Sequence, residues 1–253
     1  MYSGRSSAKR TIGFFGDSFV THPRKSNWMG KLADKYDAKI VNVGVSGSSY
    51  WNTMIHFKQN FHKFVNLDYI VFAWTDPFRI YHRTGDITPP SAYAHRSKKH
   101  KAARQYYEHL IEWDKERLNF QTAAYWLDNE YLSKCKGKII HLWSFGDTKV
   151  EPWSKAELKD ISFLYRWRNG TEVRTPLYYV SCRTDPISGW CENNLPWLQN
   201  ILKFRLNHMG SDGSKKVLQL IEDATTPETL AWRQPSFCLL YTSPSPRDVW
   251  SSR

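Results

Sequence analysis

Between Thr11 and Trp74 short apolar runs alternate with segments of helical spacing, and this alternation limits the fold more than any other feature of the chain. Thr11 to Phe15 is an apolar run closed by Gly16, the pattern of a buried strand ending in a turn. Trp28, Leu32 and Tyr36 recur every fourth residue within Asn27 to Asp37, which places one apolar stripe along a helix. Lys39 to Val43 reads as a second strand with Ile40 and Val41 at its centre, followed by a turn from Gly44 to Gly47. Trp51, Met54, Ile55, Phe61 and Phe64 predict a second helix, ahead of a near-continuous apolar strand from Tyr69 to Trp74. The order β-α-β-α-β argues for an α/β fold with a parallel sheet, right-handed crossovers and a functional site at the carboxyl ends of the strands.

Further on, Arg83 to Ser97 reads as irregular around Pro89 and Pro90, and Lys98 to Tyr131 as helical in two pieces. Residues from about 83 to 135 are therefore expected to form a helical insertion. Gly137 to Ser144 is a fourth strand with Ile139, Ile140, Leu142 and Trp143 as its core. Phe145 to Leu195 carries little pattern beyond a short strand candidate at Leu177 to Val180; Trp197 to Arg205 reads as helical, and Ser214 to Asp223, with Val217, Leu218 and Ile221, as a closing helix.

Length and composition narrow the function classes. The 253 residues fit one α/β domain with an ample core, and no apolar run approaches the roughly 18 residues of a spanning helix, so no membrane partner is expected. Lys and Arg number 36 against 24 Asp and Glu, a formal charge of +12 that raises the question of a polyanionic partner. The densest basic run is Arg96, Lys98, Lys99, His100, Lys101 and Arg104. Glu108, Glu112, Asp114 and Glu116 follow directly, so the segment is expected to be a solvated face rather than a nucleic-acid contact. The 12 Trp suit either stacking surfaces or an aromatic core, and the core is the default. Met1 to Arg10 is polar and basic, expected to be disordered and not a secretory signal. Cys135, Cys182, Cys191 and Cys238 lack C-x-x-C spacing, so no metal or redox pair is indicated, no cofactor is implied, and reduced thiols in a cytoplasmic protein are expected.

Two segments carry chemistry by position. Gly16-Asp17-Ser18 follows the first strand directly, where an α/β sheet places its ligands and where backbone N–H groups can stabilise an oxyanion; the alternative is a helix cap made by Asp17 or Ser18. Near the other end, Asn207-His208-Met209 precedes Gly213 and the closing helix, so His208 can serve as the base that takes the serine proton.

With these residues in this order the chain resembles the SGNH hydrolases, the GDSL-like esterases and lipases. Ile12 to Ser18 is similar to that family's first block, with Ser18 as nucleophile, and Asn42 to Gly47 to its second, whose Gly47 N–H would meet the oxyanion together with that of Ser18. Ala73-Trp74-Thr75-Asp76 stands where the third block ends in Gly-x-Asn-Asp, so Thr75 takes the place of the oxyanion-hole asparagine, and His208 to Gly213 resembles the fifth. The resemblance runs from Thr11 to about Glu222, with no block between Pro77 and Arg205. It implies a flavodoxin-like three-layer α/β/α sandwich over 11–237 and a serine esterase without metal or cofactor, acting on a small acyl ester such as a carbohydrate O-acetyl group. Arg205 stands three before His208, where the family has Asp; Asp185, Asp212 or a backbone carbonyl are the substitutes that the sequence offers. That departure supports an alternative, a non-catalytic glycan-binding or structural virion module on the same fold. Divergent phage-borne members share Thr-Asp-Pro followed by Arg, as in Thr75, Asp76, Pro77 and Arg79, and Arg79 reads either as a ligand for an acidic substrate or as a solvated side chain. From Cys238 the chain resembles a translated sequencing adapter, so 238–253 is expected to be a non-native tail.

Overall fold

The computed structural model describes residues 9–144, 165–174, 177 and 211–226. Strands β1 (Arg10–Gly16), β2 (Ala38–Asn42), β3 (Tyr69–Trp74), β4 (Lys138–Trp143) and β5 (Thr171–Val173) form one sheet in the order β2-β1-β3-β4-β5. Every neighbouring pair is parallel. This is the flavodoxin-like order, and the chain's direction of travel across the sheet reverses between β1 and β3, which opens a crevice at their carboxyl ends.

Helices cover both faces. On one side α1 (Trp28–Lys35) and α7 (Ser211–Thr225) bury Trp28, Met29, Leu32, Val217 and Ile221 against Ile12, Phe14, Val71 and Ile140 of the sheet. On the other, α2 (Tyr50–Gln59), α3 (Phe61–Phe64) and α6 (Trp113–Glu130) bury Tyr50, Phe57, Phe64, Phe120 and Leu127 against Phe15, Phe72, Trp74 and Trp143. The expected α/β/α sandwich is therefore observed. α4 (Pro89–Ala94) and α5 (Lys98–His109) build a smaller cluster of their own around Ile87, Ala92, Ala103 and Tyr107.

Several local expectations change. Pro89 and Pro90 open a helix instead of breaking the chain, because Thr88 and Ser91 form a capping box and the first turn has no use for the missing N–H groups. α6 packs into the core as the crossover between β3 and β4, so the segment added to the sandwich is α4 and α5 rather than all of 83–135. Val41 is exposed, since β2 is the sheet edge. Arg10 opens β1 opposite Ala38, so the first strand begins one residue before Thr11. Of the strand candidate at Leu177 to Val180, the described residues include Leu177 alone, and its side chain is buried. The helix candidate at Trp197 to Arg205 and the tail lie outside the described residues, as do Cys182, Cys191 and Cys238. Cys135 is a half-buried free thiol whose pKa burial pushes up to about 11. No helix among the described residues is long and apolar enough to cross a membrane.

Trp28, Trp74, Trp143 and Trp167 are buried, in keeping with the aromatic-core reading. The rings of Trp74, Trp167 and His141 stack, with centroids 4.6 Å apart for the two tryptophans and 4.2 Å for His141 and Trp167. The Trp74 indole N–H donates to His141 Nδ1 at 3.0 Å, and an indole can only donate, so Nδ1 is bare and Nε2–H donates to the Asn169 carbonyl at 2.9 Å. Asn169 is itself positioned by Asp128, a fully buried carboxylate on α6 that accepts from the N–H groups of Arg168 and Asn169, the Asn169 amide and the Tyr165 hydroxyl. One helical carboxylate thus steers the segment leading into β5, a strand too short at three residues to show any periodicity.

Burial holds His141 neutral and moves its pKa down to about 4. The unfolded chain takes up that proton below about 6.5, so stability falls as pH drops from about 6.5 towards about 4, by roughly 3 kcal/mol at most. Urea melts between pH 7.5 and 4.5 should show this slope, and His141→Gln, which retains one acceptor and one donor, should flatten it.

Candidate functional site

The carboxyl end of β1 is built around Gly16, whose φ of 145° lies in the region favouring glycine and where a Cβ would run into the Ala73 carbonyl of β3. The chain then enters a single 3-10 turn, Ser18–Val20, with Asp17 as its N-cap: Asp17 Oδ1 accepts from Phe19 N–H at 3.1 Å. Of the two capping candidates Asp17 makes the cap, and Ser18, the next residue, is half-buried at the start of the turn. The Ser18 carbonyl accepts from the Thr21 hydroxyl.

The loop after β2 is docked on this turn. Val45 N–H donates to the Gly16 carbonyl at 2.9 Å, and Gly44 N–H to the Val20 carbonyl at 2.8 Å. Ser48 N–H closes a β-turn onto the Val45 carbonyl, with Gly47 at its third position and φ of 76°, the conformation that a type II turn requires. The place a Gly47 Cβ would take is open space. After the turn Ser49 caps α2, its hydroxyl accepting from Asn52 N–H.

After β3 comes Thr75, 2% exposed, whose hydroxyl donates to Asp76 Oδ2 over a long 3.4 Å. Asp76 Oδ1 accepts from Phe78 N–H, an Asx turn that brings Arg79 back over the sheet edge. Arg79 is 7% exposed, so neither of its two expected roles describes it: it is not solvated, and its guanidinium is engaged within the protein. Nε donates to Asp76 Oδ2 at 3.2 Å, Nη1 donates to the Ser48 carbonyl at 3.1 Å, and Nη2 stands 3.1 Å from Asp17 Oδ2 in an ion pair lacking hydrogen-bond alignment. The Ser144 hydroxyl, from the end of β4, donates to Asp17 Oδ1 at 3.0 Å. Burial pushes the Asp17 pKa up, and Arg79, the Phe19 N–H and Ser144 oppose that shift.

Asp17, Asp76, Arg79 and Ser48 are thus brought together directly, and they carry Ser18, Gly47 and Thr75 on the loops they join. His208, Arg205 and Asp185 lie outside the described residues. Asp212 is described, and its exposed carboxylate stands 3.4 Å from Lys215 Nζ within α7. Sequence reasoning missed four participants: Ser48, Ser144, His56 and Asp86, whose Oδ2 accepts from the Ser49 N–H at 2.6 Å. Ser144 had a signal, a polar residue at the carboxyl end of an apolar strand; Asp86 and His56 had none. His56 borders a cleft of about 60 Å³ lined also by Gly16, Asn42, Val45, Ser48 and Asn52. Its Nε2–H donates to Asn42 Oδ1 at 3.2 Å, while the Asn42 amide donates to the Phe14 carbonyl. Burial and then Lys63 lower the His56 pKa, which favours the neutral ring.

Replacing Arg79 by Met leaves Asp17 buried without its counter-charge. A loss of about 3–5 kcal/mol is expected in urea unfolding, with partial recovery in Asp17→Asn/Arg79→Met; a loss near zero would mean that the ion pair does not hold these loops. Compared with known family models, curated proteins and solved structures, the chain matches none.

Proposed function

We propose that the chain is a serine esterase of the SGNH type acting on small acyl esters of glycans. The observation that carries this reading is the convergence of the loops bearing Ser18, Gly47 and Thr75 at the β1/β3 crevice, tied by one buried arginine. Ser18 Oγ attacks the ester carbonyl and His208 takes its proton; the developing oxyanion accepts from the N–H groups of Ser18 and Gly47 and from the Thr75 hydroxyl, which must leave its long bond to Asp76. Collapse expels the alcohol with the proton returned by His208, and water then cleaves the acyl-enzyme to the carboxylate.

Residues 82–104 carry six cations, Arg83, Arg96, Lys98, Lys99, Lys101 and Arg104, against one acid, Asp86. This basic segment borders the site, because Lys99 Nζ donates to the Gly85 carbonyl and Asp86 accepts from Ser49 N–H. An anionic acylated glycan fits that surface. The second reading, a glycan-binding or structural module without catalysis, is favoured by the burial of Thr75 and by Arg205 in place of a carboxylate.

The two readings separate in one assay. Hydrolysis of p-nitrophenyl acetate by the full chain should exceed that by Ser18→Ala by at least about 100-fold, with His208→Ala similarly impaired; equal rates would establish the non-catalytic module. For an anionic acetylated glycan KM should rise several-fold between about 50 and 500 mM salt, while KM for the neutral ester stays constant, as screening of exposed charges requires. A salt-independent KM would remove the anionic substrate class.

A further inference from the structure

We infer that Asp86 and Arg79 clamp a single peptide unit, Ser48–Ser49, and thereby fix the direction of the Gly47 N–H; the catalytic part of this inference rests on the esterase reading above. The carbonyl of that unit accepts from Arg79 Nη1 at 3.1 Å, and its N–H donates to Asp86 Oδ2 at 2.6 Å. Asp86 is held in turn, its other oxygen accepting from His82 N–H at 2.9 Å. Both polar ends of one peptide are therefore gripped by opposite charges, and the residue just ahead of that peptide's turn closure is the proposed oxyanion donor.

The need for such a grip follows from the turn. Type I and type II turns differ by a flip of the central peptide, here Ser46–Gly47, which reverses the direction of the Gly47 N–H. Glycine places no Cβ in the way of that flip, and nothing stands within 4 Å of where one would be. The front of the turn is pinned by Val45 N–H on the Gly16 carbonyl, and its closure by Ser48 N–H on Val45. The clamp pins the back. A donor must point at the place where charge develops before the reaction starts, so a turn that samples both forms loses rate rather than substrate affinity. Asp86 lies on the loop between β3 and α4, outside every block of the family resemblance, and Tyr107 of α5 anchors that loop, its one hydroxyl proton shared between the Phe78 and Ile87 carbonyls. Asp86 is thus a positioning residue, acting through the Ser48–Ser49 peptide.

The test pairs kinetics with amide exchange on the full chain. Asp86→Ala should lower kcat for p-nitrophenyl acetate roughly 10- to 100-fold with KM within about twofold, the scale expected when a donor is displaced by about 1 Å. Amide exchange across Val45–Ser49 should accelerate at least about tenfold, while the amides in the middle of α2 keep their protection. Asp86→Asn, which keeps the shape and one acceptor oxygen, should give intermediate values and serves as the variant to read if Asp86→Ala does not fold. Unchanged kcat with unchanged exchange overturns the clamp, and so does a rise in KM alone. If wild type and Ser18→Ala hydrolyse the ester equally, the esterase reading falls by itself; exchange then decides the clamp, and unaltered protection of Val45–Ser49 in Asp86→Ala overturns it.

Discussion

A guanidinium buried at the carboxyl edge of a parallel sheet needs its charge answered at once, and Arg79 is answered from three loops. Asp76 comes from its own turn, Asp17 from the end of β1 and the Ser48 carbonyl from the loop after β2. Ser144 extends the network to β4 through Asp17. Desolvating these charges is expensive, so the arrangement contributes less to net stability than to uniqueness: any displacement of one loop leaves a buried charge without its partner. Lysine could not replace it, because a point charge cannot address a carboxylate, a second carboxylate and a carbonyl from three nitrogens fixed in one plane.

The second organising element is aromatic and lies in the layer between the sheet and α6. Trp74, His141 and Trp167 stack there, and the two polar ends of the imidazole are used to connect β3 to the segment before β5. A neutral histidine serves here as an aromatic ring that can also both accept and donate, which phenylalanine cannot do. Its buried position separates it from any proton-transfer chemistry at the strand ends.

The alternation from Thr11 to Trp74 was legible because strand and helix periods differ and each segment is long enough to display its own. β1, α1, β2, α2 and β3 follow from it, and the same two periods mark β4 and α7 further along the chain. α4 was hidden because Pro89 and Pro90 read as breakers unless the Thr88 and Ser91 side chains are seen capping them. β5 was hidden by its length, since its place is set by Asp128 from far away in sequence. At the site, position relative to β1 and β3 picked out Asp17, Ser18, Thr75 and Asp76. The use of Arg79 was not legible: an arginine after Asp-Pro looks the same whether it faces water, a ligand or a buried pair, and only the fold of three loops decides. Asp86 was silent for the same reason, as its partner is a backbone amide 37 residues away.

α4 and α5 form a small cluster of their own, attached to the sandwich through the loop from Phe78 to Ile87. The sheet and its facing helices make a scaffold in which such an appendage can be exchanged with few core contacts disturbed. Yet this appendage carries both the lysine-rich helix and the loop that delivers Asp86. Any exchange would therefore replace the basic surface and, in the same stroke, change how firmly the loop after β2 is held. The charge of that surface and the geometry of the crevice between β1 and β3 are inherited here as one unit, so neither can be altered by shuffling without moving the other.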